Sequence, residues 1–104
     1  MGSWHAQDEQ GALVGPDDPQ AQARQVFANL GRCLAAAGAS FADVIKLGYF
    51  VLDTAHLPAL RAARAEVIDP ARPPASTLVQ VAGLAFPGYL FEVEAWAVVD
   101  DAAG

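Results

Sequence analysis

The chain has 104 residues, 54% hydrophobic and 17% charged, with a formal net charge of -6. That is the size of one domain, residues 1–104, with enough apolar content for a core, so a wholly disordered chain is excluded, and only the end from Asp100 to Gly104 is expected to fray. Lys46 is the only lysine and the five arginines are scattered. Nucleic acid and anionic membrane surfaces, which both require clustered cations, are therefore not the expected partners.

Taken in chain order, the first ten residues, MGSWHAQDEQ, have neither a basic nor an apolar region of the kind a signal peptide needs. No apolar run is long enough to span a bilayer. With a single cysteine, Cys33, no intrachain disulfide can form, and the expected setting is the reducing cytoplasm. Trp4 to Gln7 reads as a short strand, followed by a Gly/Pro-rich loop.

Asp18 is a suitable N-cap, and Pro19 suits the first position of a helix. Phe27, Leu30, Cys33, Leu34 and Ala37 form its apolar stripe, and Gly38 ends it. On that pattern Cys33 is expected to be a small buried hydrophobe. Ser40 and Asp43 have the spacing of a capping box. VIKLGYFVLD, from Val44 to Asp53, is rich in β-branched and aromatic residues and reads as a buried strand. A second helix is expected from about His56 to Ile68, with Pro58 in its first turn and Leu57, Leu60, Arg64 and Val67 on one face. Pro70, Pro73 and Pro74 force an extended connection into a third strand, STLVQV.

The last strand is expected from Tyr89 to Val99. Successive side chains of a strand alternate between faces. Phe91, Val93, Ala95, Ala97 and Val99 make one face, small and apolar, fit to lie under helices. Leu90, Glu92, Glu94, Trp96 and Val98 make the other. That face carries two acids yet is too apolar for water, which marks an interface. The order (β)–α–β–α–β–β gives an α+β two-layer sandwich with two helices on one face of a mixed sheet.

Signatures of common enzymes are absent. There is no nucleophile elbow, phosphate-binding loop or dinucleotide fingerprint. His5, His56 and Cys33 lack metal-ligand spacing, so no metal or other cofactor is expected. Both histidines are expected at exposed positions. Glu94, flanked on its face by Glu92 and Trp96, is the best candidate for catalysis, since a partly buried carboxylate can position or deprotonate a water.

The stretches QARQVFANLGRCLAAAGASFADVIKLGYFVLD, HLPALRAARAEVI, PPASTLVQVAGL and FEVEAWAV, in that order and spacing, resemble the RidA (YjgF-type) reactive-intermediate deaminases. The resemblance covers about residues 20 to 99. It implies a chorismate-mutase-like fold and a homotrimer with small-molecule sites in the clefts between subunits. It implies that Glu94 helps to hold water, and that Ser76, Leu78 and Gln80 line the substrate cleft. The implied activity is hydrolytic deamination of an imine or enamine.

Two departures stand beside the resemblance. The family's Pro-Ala-Arg-Ser motif reads Pro74-Ala75-Ser76-Thr77, so Ser76 occupies the place of the arginine that grips a substrate carboxylate. Arg72, beyond two prolines, is a poor substitute, and weak turnover of 2-aminoacrylate-type acids is expected. The opening hairpin of the family is incomplete, with an exposed sheet edge as the expected result. Lys46 matches a lysine common in the family, and Arg64 is expected to be a surface or interface side chain. The competing reading is a non-catalytic binding or assembly protein that retains the fold.

Overall fold

The computed structural model describes residues 2–99. Six main elements follow one another: β1 (Gly2–Trp4), α1 (Pro19–Ala36), β2 (Val44–Val51), α2 (Leu57–Ala65), β3 (Ala75–Gln80) and β4 (Phe91–Ala97). The four strands form one mixed sheet in the order β1-β4-β2-β3. β4 runs antiparallel to both β1 and β2, and β2 runs parallel to β3. The parallel pair is possible because α2 makes the crossover between its strands.

Local signals start the elements where the sequence puts them. The Asp18 side chain accepts a hydrogen bond from the Ala21 amide at 3.1 Å, with Pro19 opening α1. Gly38, at φ 76°, supplies the left-handed turn after α1, and the Ala39 amide donates back to the Leu34 carbonyl at 2.8 Å. The Ser40–Asp43 capping box is present in full around a short 3-10 turn. α2 is shorter than the sequence suggests: Thr54–His56 form a 3-10 turn before it, and the α-helix ends at Ala65.

The core lies between the helices and one face of the sheet. Phe91, Val93 and Ala95 of β4 are buried, as are Leu47, Tyr49 and Val51 of β2. From the helices come Ala23, Val26, Phe27, Leu30, Leu34, Leu60 and Ala63. β4 therefore turns its small apolar side toward the helices, and the Glu-bearing side faces away from them.

Four expectations are corrected. The first strand is Gly2–Trp4 rather than Trp4–Gln7, and residues 5 to 15 form a loop closed by a bridge between Gln7 and Leu13. β1 pairs along the outer side of β4, with Ser3 level with Glu94, so that edge is covered from Val93 to Ala95. Cys33 is exposed, and Gln22 is fully buried. α1 rolls toward the Gln22–Val26 side because Gln22 finds three backbone partners there. Its Nε2 donates to the carbonyls of Gly15 (3.2 Å) and Gly88 (2.9 Å), and its Oε1 accepts from the Leu90 amide (2.9 Å). His5 is half-buried, with Nε2 3.0 Å from a Glu92 carboxylate oxygen. His56 is also half-buried, its ring edge-on to Phe91 at 6.2 Å between centroids.

Candidate functional site

The sheet register decides which candidate residues can meet. Residues paired across neighbouring strands point to the same face. Leu47 is level with Ser76, Tyr49 with Leu78 and Val51 with Gln80. Leu47, Tyr49 and Val51 are buried beneath the helices, so Ser76, Leu78 and Gln80 stand on the helix side of β3. On β4, Glu94 is level with Gly48 and Glu92 with Phe50, both on the opposite side. One protomer thus brings Ser76 and Leu78 together and keeps Glu94 apart from them.

Ser76 and Leu78 line a cavity of about 170 Å³ where α2 crosses the open edge of the sheet. Tyr49 forms part of its wall, α2 adds Leu57, Leu60, Arg61 and Arg64, and Gln80 lies outside it. The Gln80 side chain instead donates to the Leu52 carbonyl at 3.3 Å. Tyr49 is only 6% exposed, and its hydroxyl meets no hydrogen-bond partner of acceptable geometry. Burial pushes its phenol above the ordinary range, while the Arg64 guanidinium and then the nearby Ser76 hydroxyl pull the other way. Among the described residues, neither Arg61 nor Arg64 is paired with a carboxylate. Arg72 is exposed and does not line the cavity.

The other face of the sheet carries the acids. Glu94 is half-buried and lies over Gly48: a Cβ placed on Gly48 would sit 3.4 Å from Glu94 Oε2 and 3.7 Å from Glu94 Cβ. Glycine here leaves open space beside the carboxylate. Lys46 Nζ stands 5.0 Å from the Trp96 ring centroid, a cation–π contact on the same face. The Glu92 carboxylate lies 3.0 Å from His5 Nε2. Apolar groups flank these charges, with Phe50 and Trp96 half-buried and Val79 and Val98 exposed.

No group of three or more potential metal-ligating side chains occurs among the described residues. No helix among them is long and apolar enough to cross a membrane.

Arg61, Arg64 and Tyr49 are the site residues that sequence reasoning missed. The two arginines sit one helical turn apart on α2, a detectable spacing. Nothing local, however, says that this face of α2 meets the position of Ser76.

Comparison with known proteins shows the family and the fold. The family model described as Endoribonuclease L-PSP matches residues 2–99. A RutC family protein from Synechocystis is 35% identical over 72 residues, which span 69% of this chain and 55% of that protein's length. A solved structure of a conserved Rid-family protein of unknown function from Yersinia pestis has a TM-score of 0.83 at 38% identity, covering 95% of this chain and 76% of that one. RidA from an Antarctic Psychrobacter has a TM-score of 0.85 at 29% identity, covering 95% and 78%. The chain therefore belongs to the endoribonuclease L-PSP family, which includes the Rid (YjgF-type) proteins.

Proposed function

We propose that this protein is a Rid-type enzyme that adds water to the C=N bond of a small imine, or of an enamine after tautomerisation, in a cleft between subunits of a homotrimer. The observation that carries this reading is the place of the Tyr49–Ser76 cavity, at the open edge of the sheet beside β3, which is exposed along its whole length. A second copy docking there would close the cavity and bring its own residues to the rim. The apolar, Glu-bearing sheet face supports self-association as well.

In the proposed reaction Glu94 holds a water and takes its proton as the oxygen attacks the imine carbon. The imine nitrogen gains a proton, giving a tetrahedral carbinolamine. The C–N bond then breaks, nitrogen leaves as ammonia with the bonding electrons and a further proton, and a carbonyl forms. The balance is imine plus water to carbonyl compound plus ammonia, with no oxidant and no cofactor.

An assay that generates 2-imino acids or neutral imines in situ tests this reading. Faster release of ammonia and carbonyl product in the presence of the protein supports it. If no imine of either kind is hydrolysed faster, the second reading takes its place, a binding or assembly protein. That reading is favoured by Ser76, which has no charge with which to hold a substrate. RNA cleavage, which the family's description suggests, fits poorly with six Lys and Arg against twelve Asp and Glu.

A further inference from the structure

We propose that Trp96 is a positioning residue for Glu94: its indole holds the Lys46 ammonium by a cation–π contact and so keeps the chain's one lysine from pairing with the Glu94 carboxylate. Glu94 is thereby left free to hold a water and take its proton. The inference rests on the reading of Glu94 as the base, and it adds what keeps that base unpaired.

Three observations support it. The first is register. Lys46 is level with Trp96, and Gly48 with Glu94, so these four positions share the face of the sheet turned away from the helices. Lys46 and Glu94 are therefore diagonal neighbours, about 7–8 Å apart at the backbone and within reach of a side chain as long as lysine. The second is that they do not pair. Lys46 Nζ stands 5.0 Å from the Trp96 ring centroid, and neither Lys46 nor Glu94 is in an ion pair among the described residues. An exposed ion pair and an exposed cation–π contact are of similar worth, so position decides between them. Trp96 lies directly opposite Lys46, and Glu94 only diagonally.

The third is the arrangement around Gly48. A Cβ placed there would sit 3.4 Å from Glu94 Oε2 and 3.8 Å from Trp96 Cζ3. Carboxylate and indole thus lean side by side over the one position without a side chain. The indole flanks the carboxylate with an apolar edge, where an unheld Lys46 would bring its charge. An ammonium on the carboxylate favours the charged form and opposes the uptake of a proton.

The test uses the full chain. Lys46 is the only lysine, so isotope-labelled lysine gives one set of side-chain NMR signals. Its ε-methylene protons should lie upfield of their free-lysine position, because they sit over the indole face, and Glu94→Gln should leave them unmoved. In Trp96→Leu the upfield shift should vanish, and Glu94→Gln should now move the signals, since the freed ammonium turns to the carboxylate. In the imine assay Trp96→Leu should slow turnover about 2- to 5-fold, the worth of one surface ion pair. Adding Lys46→Met should restore most of that loss, whereas Lys46→Met alone should change little. Trp96→Phe, which keeps a ring face, should fall in between.

An ε-methylene signal at the free-lysine position would overturn the proposal, and so would signals in Trp96→Leu that ignore Glu94→Gln. A slow Trp96→Leu that Lys46→Met does not rescue would overturn it as well, because a tryptophan that only packs gives no such rescue. The signal of the unaltered protein decides even where Trp96→Leu does not fold. The NMR measurements need no substrate, so they decide on Trp96 even where no imine is hydrolysed and the hydrolase reading falls.

Discussion

Glu94 and Ser76 stand on opposite faces of the sheet. Glu94 is level with Gly48 on β2, whereas Ser76 is level with the next residue back, Leu47, which is fully buried under the helices. Because strand side chains alternate, a one-residue offset places the carboxylate and the cavity a whole sheet thickness apart. No rotamer change joins them within one chain. A site that uses both must draw Glu94 from one copy and the cavity from another.

The first prediction is therefore a homotrimer, measured by sedimentation equilibrium at micromolar concentration. Hydrolysis should also be rescued when Glu94→Gln and cavity-filling Leu78→Trp proteins are unfolded and refolded together, since some mixed sites regain both the carboxylate and an open cavity. A stable monomer, or full activity from one, would remove the proposed cleft.

Tyr49 gives a prediction about stability. Its buried hydroxyl has the Ser76 hydroxyl near it but makes no hydrogen bond of acceptable geometry, so Tyr49→Phe should leave the ligand-free protein as stable or raise its stability by about 1 kcal/mol, checked by urea unfolding. The effect also depends on pH. Burial raises the folded-state pKa above the ordinary value of 10.0, so both states are protonated below about pH 10 and the stability is constant there. Above it the unfolded chain ionises first and stability falls, until the folded-state phenol also titrates. Tyr49→Phe should remove its share of that alkaline decline. Identical curves for both proteins from pH 9 to 11 would mean that the phenol is not desolvated.

Gln22 is predicted to be the most sensitive polar side chain of α1. It is fully buried and ties the start of the helix to the loop before it and to the turn that leads into β4. Gly88 in that turn has φ 90°, a left-handed conformation that favours glycine, and its carbonyl is the one that Gln22 Nε2 meets. Gln22→Leu leaves the Gly88 carbonyl and the Leu90 amide unmet and should cost about 2–4 kcal/mol. Thermal unfolding measures the loss, and a change under about 0.5 kcal/mol, the range of an ordinary surface substitution, would show that water replaces the side chain.

What was legible in the sequence was what depends on near neighbours. The Asp18–Pro19 start and the Ser40–Asp43 box are set within a few residues and are found as read; the two faces of β4 hold from Phe91 to Ala95, while Ala97 and Val99 are exposed rather than covered by helices. In the apolar stripe of α1, Phe27, Leu30 and Leu34 are buried as read, whereas Cys33 and Ala37, favoured by hydrophobicity alone, are exposed. Gln22 takes the buried place through partners 66 and 68 residues away, which no local pattern reveals. The same holds for His5 against Glu92 and for Arg64 near Ser76. The alternation of β4 identified Glu94 as facing away from the helices. That Ser76, Leu78 and Gln80 face toward them followed only from the pairing of β3 with β2.

The last prediction concerns Glu94. Glu94→Gln should abolish hydrolysis while the fold and the assembly stay intact. Glutamine keeps the size and can still hold a water, but it takes up no proton. General acid–base help is worth about 10²- to 10⁴-fold, so the loss should be of that order. Gly48 leaves room beside the side chain, so the substitution introduces no clash. Glu92→Gln is the control: its carboxylate lies 3.0 Å from His5 Nε2, and its removal should lower stability slightly with turnover nearly unchanged. The readouts are the hydrolysis rate, the sedimentation profile and the melting temperature of each variant. Normal turnover by Glu94→Gln would make the carboxylate a surface acid. Loss of turnover together with dissociation would make it structural. In either case the proton must be taken by another group, and the pairing of Glu94 with a neighbouring copy's Tyr49–Ser76 cavity would have to be given up.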